Sequence, residues 1–220
     1  MYGYGYYGWG MDPTILLLVI GMLLSLAASA KLRSTFAVYK KVRSHSGITG
    51  AEAAQRILRA AGITDVQVVP IRGGLTDHYD PRTKTVSLSE DIYGRNSLAA
   101  VGVAAHECGH AIQDAINYAP LNIRSAIVPA ANIGSQLSWP LFIAGLIFSI
   151  DPLVTLGIVL FSLAVLFQLV TLPVEINASS RALKMLESTG ILGADEKKGA
   201  RKVLTAAALT YVAALAASIL

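Results

Sequence analysis

The sequence predicts a mainly α, polytopic membrane protein of about four transmembrane helices, with a small α/β element on the cytoplasmic side. Three observations carry that expectation. Hydrophobic residues make up 54 % of the 220 residues and charged residues 15 %, against roughly a quarter charged in soluble domains. The mean hydropathy is +0.54, more apolar surface than a chain this short can hide from water, so part of it faces lipid. Finally, the basic residues are confined: of 18 Lys and Arg, 12 lie between Lys31 and Arg124 and 6 between Pro173 and Lys202.

Residues 1–12 open with a Tyr/Gly tract, MYGYGYYGWG, that holds no basic residue. It reads as an outside tail, since Tyr and Trp favour the headgroup region. Residues 13–30 (PTILLLVIGMLLSLAASA) form the first apolar run. A signal peptide carries its positive charge before the apolar stretch. Here Asp12 precedes the run, and Lys31, Arg33, Lys40 and Lys41 follow it. The run therefore reads as a transmembrane helix with its start outside.

Residues 31–126 are polar enough for a water-facing region. Thr49 and Glu52 form a capping box that opens an amphipathic helix, closed by Gly62. Val66 to Pro70 and Lys84 to Leu88 read as short strands, and GGLTDHYDPRT between them is rich in turn formers. Asn96 or Ser97 caps a helix over about 97–119, which Pro120 ends. Residues 127–172 are apolar apart from Asp151-Pro152, so they predict a transmembrane hairpin. A polar cytoplasmic segment over 173–202 follows, and the Ala-rich run at 203–220 predicts a fourth span. Four spans put both basic segments on one side and the tail, the Asp151 turn and the C-terminus on the other. The positive-inside rule makes the basic side cytoplasmic, so the expected location is the cell (inner or plasma) membrane, multi-pass. Because the cations flank apolar runs, the net charge of +4 does not point to nucleic acid. The one cysteine, Cys108, excludes an intrachain disulfide and a multi-thiolate zinc site.

Within LAAVGVAAHECGHAIQDA lies His106-Glu107-Cys108-Gly109-His110, an H-E-x-x-H sequence on a predicted helix. Residues four apart share a helix face, so both imidazoles reach one zinc ion. Glu107 beside them suits a general base that takes a proton from a zinc-bound water and passes it to a leaving amine. The structural alternative is two chance histidines on a packed helix. Against it, a mid-helix Gly109 calls for a packing reason. Catalytic zinc takes three protein ligands and an open position, and no third histidine follows. Glu175, in LPVEINASSRAL, returns through the hairpin to the motif's side of the membrane, and a carboxylate at the end of an apolar helix is costly unless paired or metal-bound. It is the expected third ligand, with Glu187 as the fallback. Cys108, on another helix face, reads as a small buried hydrophobe.

The segments LTDHYDPRTKTVSLS, AAHECGHAIQ and LPVEINASSRAL together resemble the bacterial neutral zinc metallopeptidases of the YugP type, which are multi-pass membrane proteins. The last segment is also similar to the E-x-x-A-[DS] pattern of membrane-bound heat-shock and CAAX-type zinc proteases. That resemblance implies a peptidase with one zinc ion, Glu175 as third ligand, and Ala178 and Ser179 at the following pattern positions. It also implies a peptide or protein substrate, membrane proteins among the possibilities. Related zinc proteases bind substrate along an edge strand ahead of the motif helix, so Asp77, His78, Tyr79 and Asp80 either line the cleft or shape a turn. Arg181 either steadies an oxyanion or is solvated. Two further functions stay open at this level: intramembrane cleavage, which generally draws on an intramembrane aspartate, and a non-catalytic zinc-binding scaffold.

Overall fold

The computed structural model describes residues 13–220, and the tail expected at 1–12 lies outside the described residues. Helix α1 (Pro13–Tyr39) starts on the apolar run and continues past Ala30 through its basic flank. Helix α2 (Gly50–Ala60) carries the expected capping box: Thr49 Oγ1 accepts from the Glu52 amide at 3.3 Å, and Glu52 Oε2 accepts from the Thr49 amide at 2.7 Å. Both reciprocal bonds satisfy amides that the first helical turn leaves orphaned. Gly62, at φ +73°, closes the helix in the left-handed region.

Strands β1 (Gln67–Ile71), β2 (His78–Asp80) and β3 (Thr85–Ser89) form a sheet in the order β1-β3-β2. β1 runs parallel to β3, and β2 antiparallel to it, with His78 opposite Ser87. Pro70 is tolerated because β1 is an edge strand. β2 lies inside the stretch read from sequence as a turn. The Asp77 carboxylate accepts from the Ser89 amide (2.7 Å) and hydroxyl (3.0 Å), which fixes the entry to β2 against the end of β3.

After the short helix α3 (Glu90–Tyr93) comes α4 (Leu98–Ala115), capped by Ser97, whose Oγ accepts from the Ala100 amide at 3.2 Å. Pro120 does not merely stop that helix. It sits in the first turn of α5 (Ala119–Phe148), where its missing N–H costs nothing. Ser149, in the left-handed conformation, turns the chain into α6 (Asp151–Ser188), again with a proline in the first turn. Helix α7 (Ala194–Ile219) completes the fold. Small residues let α5 and α6 approach closely: a Cβ on Gly134 would lie 2.8 Å from the Leu160 carbonyl oxygen, the kind of contact that holds helices together in lipid.

Helices α1, α5, α6 and α7 are each long and apolar enough to cross a membrane. Their outer surfaces expose Leu18 (59 %), Ile147 (70 %) and Phe148 (69 %), which suits contact with lipid rather than water. The chain is a mostly helical polytopic membrane protein with a small mixed sheet. Its buried core lies at the other end of the spans, where Ile57, Leu88, Ile92, Val101, Leu186, Ile191 and Val203 pack together. At about 1.5 Å per residue α6 is about 57 Å long, nearly twice the hydrocarbon thickness of about 30 Å. Its last turns carry Ala182 and Leu186 into this core, and Glu175 lies two turns before Ala182.

Candidate metal centre

His106 and His110 stand one turn apart on α4, with ring centroids 4.8 Å apart and planes at 83°. Gly109 sets the depth at which α6 docks on them. A Cβ there would lie 2.5 Å from the Ala178 carbonyl oxygen, so only glycine admits this approach. That contact brings Glu175, one turn before Ala178, against the histidines. His106 Nε2 lies 3.2 Å from Glu175 Oε2, and His110 Nε2 lies 3.6 Å from Oε1.

The outer nitrogens are held as well. Gln113 Nε2 donates to the Val174 carbonyl (2.9 Å) and to Asn177 Oδ1 (3.0 Å), which turns Gln113 Oε1 toward His110 Nδ1 at 3.0 Å. An amide oxygen only accepts, so His110 Nδ1 donates to it, and Nε2 is the nitrogen that faces Glu175 and becomes free to bind a metal when the ring is neutral. Ser179 Oγ lies 3.1 Å from His106 Nδ1 and orients that ring in the same way.

One ligand atom from each of His106, His110 and Glu175 falls within 4.8 Å of the other two. The 3.2 and 3.6 Å contacts run to the two different oxygens of Glu175, so both imidazoles meet one carboxylate. Two imidazoles and a carboxylate converging on one place are a donor set of the kind that holds catalytic zinc. His110 and Glu175 are buried. Burial disfavours the His110 imidazolium, but the Glu175 hydrogen bond and the nearby Glu107 charge outweigh it and lift the ring's pKa above its ordinary value.

The group opens into a cavity of about 240 Å³, lined by Glu107 and the three residues above, by Asp77, His78 and Tyr79 of the sheet, and by Arg124 and Tyr211 among others. Glu107 is thus beside the cluster and inside the same cavity. The sheet residues divide their duties. His78 is exposed, with Nδ1 2.9 Å from the Thr76 carbonyl. Tyr79 donates to Asp114 Oδ2 at 2.8 Å, and Lys84 Nζ reaches the same atom at 2.6 Å, so β2 and β3 are tied to the end of α4. Burial, then the Asp114 bond, push the Tyr79 phenol well above its usual pKa. Asp80 caps its own turn, accepting from the Arg82 amide at 2.8 Å.

The remaining expected residues lie elsewhere. Arg181 does not line the cavity. Its Nε donates to Asn177 Oδ1 at 2.7 Å, and its guanidinium sits 5.9 Å from the Tyr118 ring centroid, so it reaches the cluster only through Asn177 and Gln113. Glu187, the fallback ligand, pairs with Lys197 and is absent from the cluster. Cys108 is fully buried, its thiol 3.6 Å from the Ala54 carbonyl, and burial raises its pKa far from thiolate chemistry.

Gln113, Asn177, Arg124 and Tyr211 were not singled out by the sequence. Arg124 Nη1 lies 3.5 Å from Glu175 Oε1, and its buried Nε has no hydrogen-bond partner. The available signal was weak: Arg124, Asn177 and Tyr211 are polar residues in or beside a predicted span, and Gln113 is one of several polar residues on the motif helix.

Comparison with known proteins agrees with this geometry. A family model described as "Putative neutral zinc metallopeptidase" matches residues 14–220. The "Putative membrane protease YugP" of Bacillus subtilis (strain 168) is 49 % identical over 205 residues, covering 93 % of this chain and 91 % of that protein. No solved structure matches the chain.

Proposed function

Since the chain belongs to the neutral zinc metallopeptidase family, we propose that it hydrolyses peptide bonds at one zinc ion held by His106, His110 and Glu175, with Glu107 as general base. The observation that carries this reading is the convergence of those three donors beside Glu107 in one cavity. When bound, zinc supplies an acidified water with a pKa near 7 and polarises the scissile carbonyl. Glu107 takes the proton of the attacking water and returns it to the leaving amine. His106 and His110, fixed through their Nδ1 atoms by Ser179 and Gln113, keep their Nε2 lone pairs directed at the ion. Arg124 faces Glu175 and balances the charge of that carboxylate.

The site faces the cytoplasmic side at the edge of the bilayer. The support is the confinement of all 18 Lys and Arg to the two segments on the site's side. Glu175 also stands about 36 Å along α6 from the hairpin turn, just beyond a hydrocarbon layer of about 30 Å. Leu121 and Val128 of α5 and Tyr211 of α7 continue the cavity towards the apolar layer. Peptide bonds close to the membrane surface are the natural substrates of such a site, including those of membrane proteins.

Hydrolysis by the purified protein and by Glu107→Gln tests the mechanism. The variant keeps its zinc and loses roughly 10²–10⁴-fold in rate. Undiminished hydrolysis by a zinc-loaded Glu107→Gln protein contradicts the assignment. Zinc bound at full occupancy without hydrolysis of any peptide in a broad library would favour a scaffold.

A further inference from the structure

A second cleft, which shares no lining residue with the metal-site cavity, lies between α1 and α7. It measures about 450 Å³, and all its lining residues belong to α1 or α7: Lys31, Arg201 and Lys202 among hydroxyls and apolar side chains. The two helices are antiparallel and touch closely at both ends. A Cβ on Gly21 would lie 3.2 Å from Ala217, and one on Gly199 would lie 2.9 Å from the Tyr39 ring. Between those contacts the cleft remains, at the level where the apolar run of α1 gives way to Lys31.

Its three cations lie outside the ion pairs at this end of the molecule. On the same side of the molecule Lys40, Lys84, Lys197 and Lys198 each hold a carboxylate. Among the described residues no carboxylate pairs with Lys31, Arg201 or Lys202, and none lines the cleft. Lys202 Nζ lies 6.0 Å over the Tyr39 ring, and both residues line the cleft. The Thr35 and Thr205 hydroxyls add donors beside them, and Ala206 and Leu209 line the wall that continues towards the apolar layer.

We infer that this cleft between α1 and α7 binds the phosphate of an anionic phospholipid from the leaflet on the site's side of the membrane. A phosphodiester in the cleft would accept charge-assisted hydrogen bonds from the cations that line it. A free phosphate would satisfy the charges equally well. The apolar wall, and the position of the cleft on two spanning helices, fit a ligand whose acyl chains run down the helices into the bilayer.

The test uses the full chain purified in neutral detergent, with unfolding temperature as the readout after addition of phosphatidylglycerol, phosphatidylcholine or inorganic phosphate. Phosphatidylglycerol raises the Tm by about 3 °C or more, and the other two do not. K31Q/R201Q/K202Q loses most of that rise. R33Q/K41Q/R59Q, which removes as much charge outside the cleft, retains it. Should the first triple variant fail to fold, Arg201→Gln alone reports, and it too must diminish the rise. An equal rise with inorganic phosphate, an equal loss in both triple variants, an undiminished rise in Arg201→Gln, or no rise with phosphatidylglycerol in the wild type would each overturn the inference. None of these readouts depends on zinc or on hydrolysis.

Discussion

Gln113 decides which nitrogen of His110 is available. Its own amide is locked by Val174 and Asn177, so its oxygen must accept from Nδ1, and the ring cannot turn Nε2 away from Glu175. Replacing Gln113 with Ala is expected to weaken zinc binding by 10–100-fold, measured by competition with a chelator, while Glu107-dependent chemistry survives at saturating zinc. The raised pKa of His110 has a consequence of definite sign. In the metal-free protein, protonated His110 against Glu175 contributes stability below the ordinary histidine value of 6.5, and this is lost as pH rises through the lifted folded value. Zinc requires the neutral ring, so the loaded protein behaves oppositely and gives up metal on acidification. Unfolding temperatures of the two forms across pH 6 to 8 should therefore diverge, with the gap widest at the alkaline end.

The same scale shows what a sequence can reveal about a site. His106, Glu107 and His110 were legible because helix geometry alone fixes their relation. Glu175 was legible because four spans and the placement of the cations returned it to the same side. Gln113, Asn177, Arg124 and Tyr211 acquire meaning only once α4, α5, α6 and α7 are docked, and no local spacing encodes that.

At the level of elements, the contact of α4 with α6 matters most. An alanine at position 109 gains about 1 kcal/mol of helix propensity. Against this, the new Cβ would overlap the Ala178 backbone oxygen at 2.5 Å, which cannot be relieved by a rotamer change. Overpacking of this kind costs about 1–3 kcal/mol, so the net effect of Gly109→Ala is a modest loss of stability and a larger loss of zinc, because Glu175 moves with α6. Thermal unfolding and metal content measured on the same preparation check both halves. Sequence reading ended the third span near Leu172, where the apolar run ends. The helix runs on through Pro173 to Ser188, because Ala182 and Leu186 beyond it are good helix formers packed in the core, and that burial outweighs the cost of an interior proline. β2 escaped notice for the opposite reason: the turn-forming residues around it outweigh a strand of three residues.

For the molecule as a whole, the distribution of charge ties the orientation of the spans to the side on which the site works. The only native thiol, Cys108, is fully buried, so introduced cysteines can be labelled against a low background. Ile150→Cys, in the exposed hairpin turn, should react with a membrane-impermeant maleimide in intact cells, and Arg82→Cys, in the exposed loop before β3, only after permeabilisation. The reverse pattern would put the cavity outside. The span count was readable from hydropathy because lipid demands long apolar helices. The depth of the cavity was not, since it depends on how far α6 projects beyond the apolar layer.

The central claim is a single three-ligand zinc site, and elemental analysis of the purified wild type, His110→Ala, Glu175→Ala and Glu107→Gln addresses it most directly. The account predicts about one zinc per chain in the wild type and in Glu107→Gln, with none retained by His110→Ala or Glu175→Ala. Zinc kept at full occupancy by Glu175→Ala, or absent from the wild type after supplementation, would contradict it.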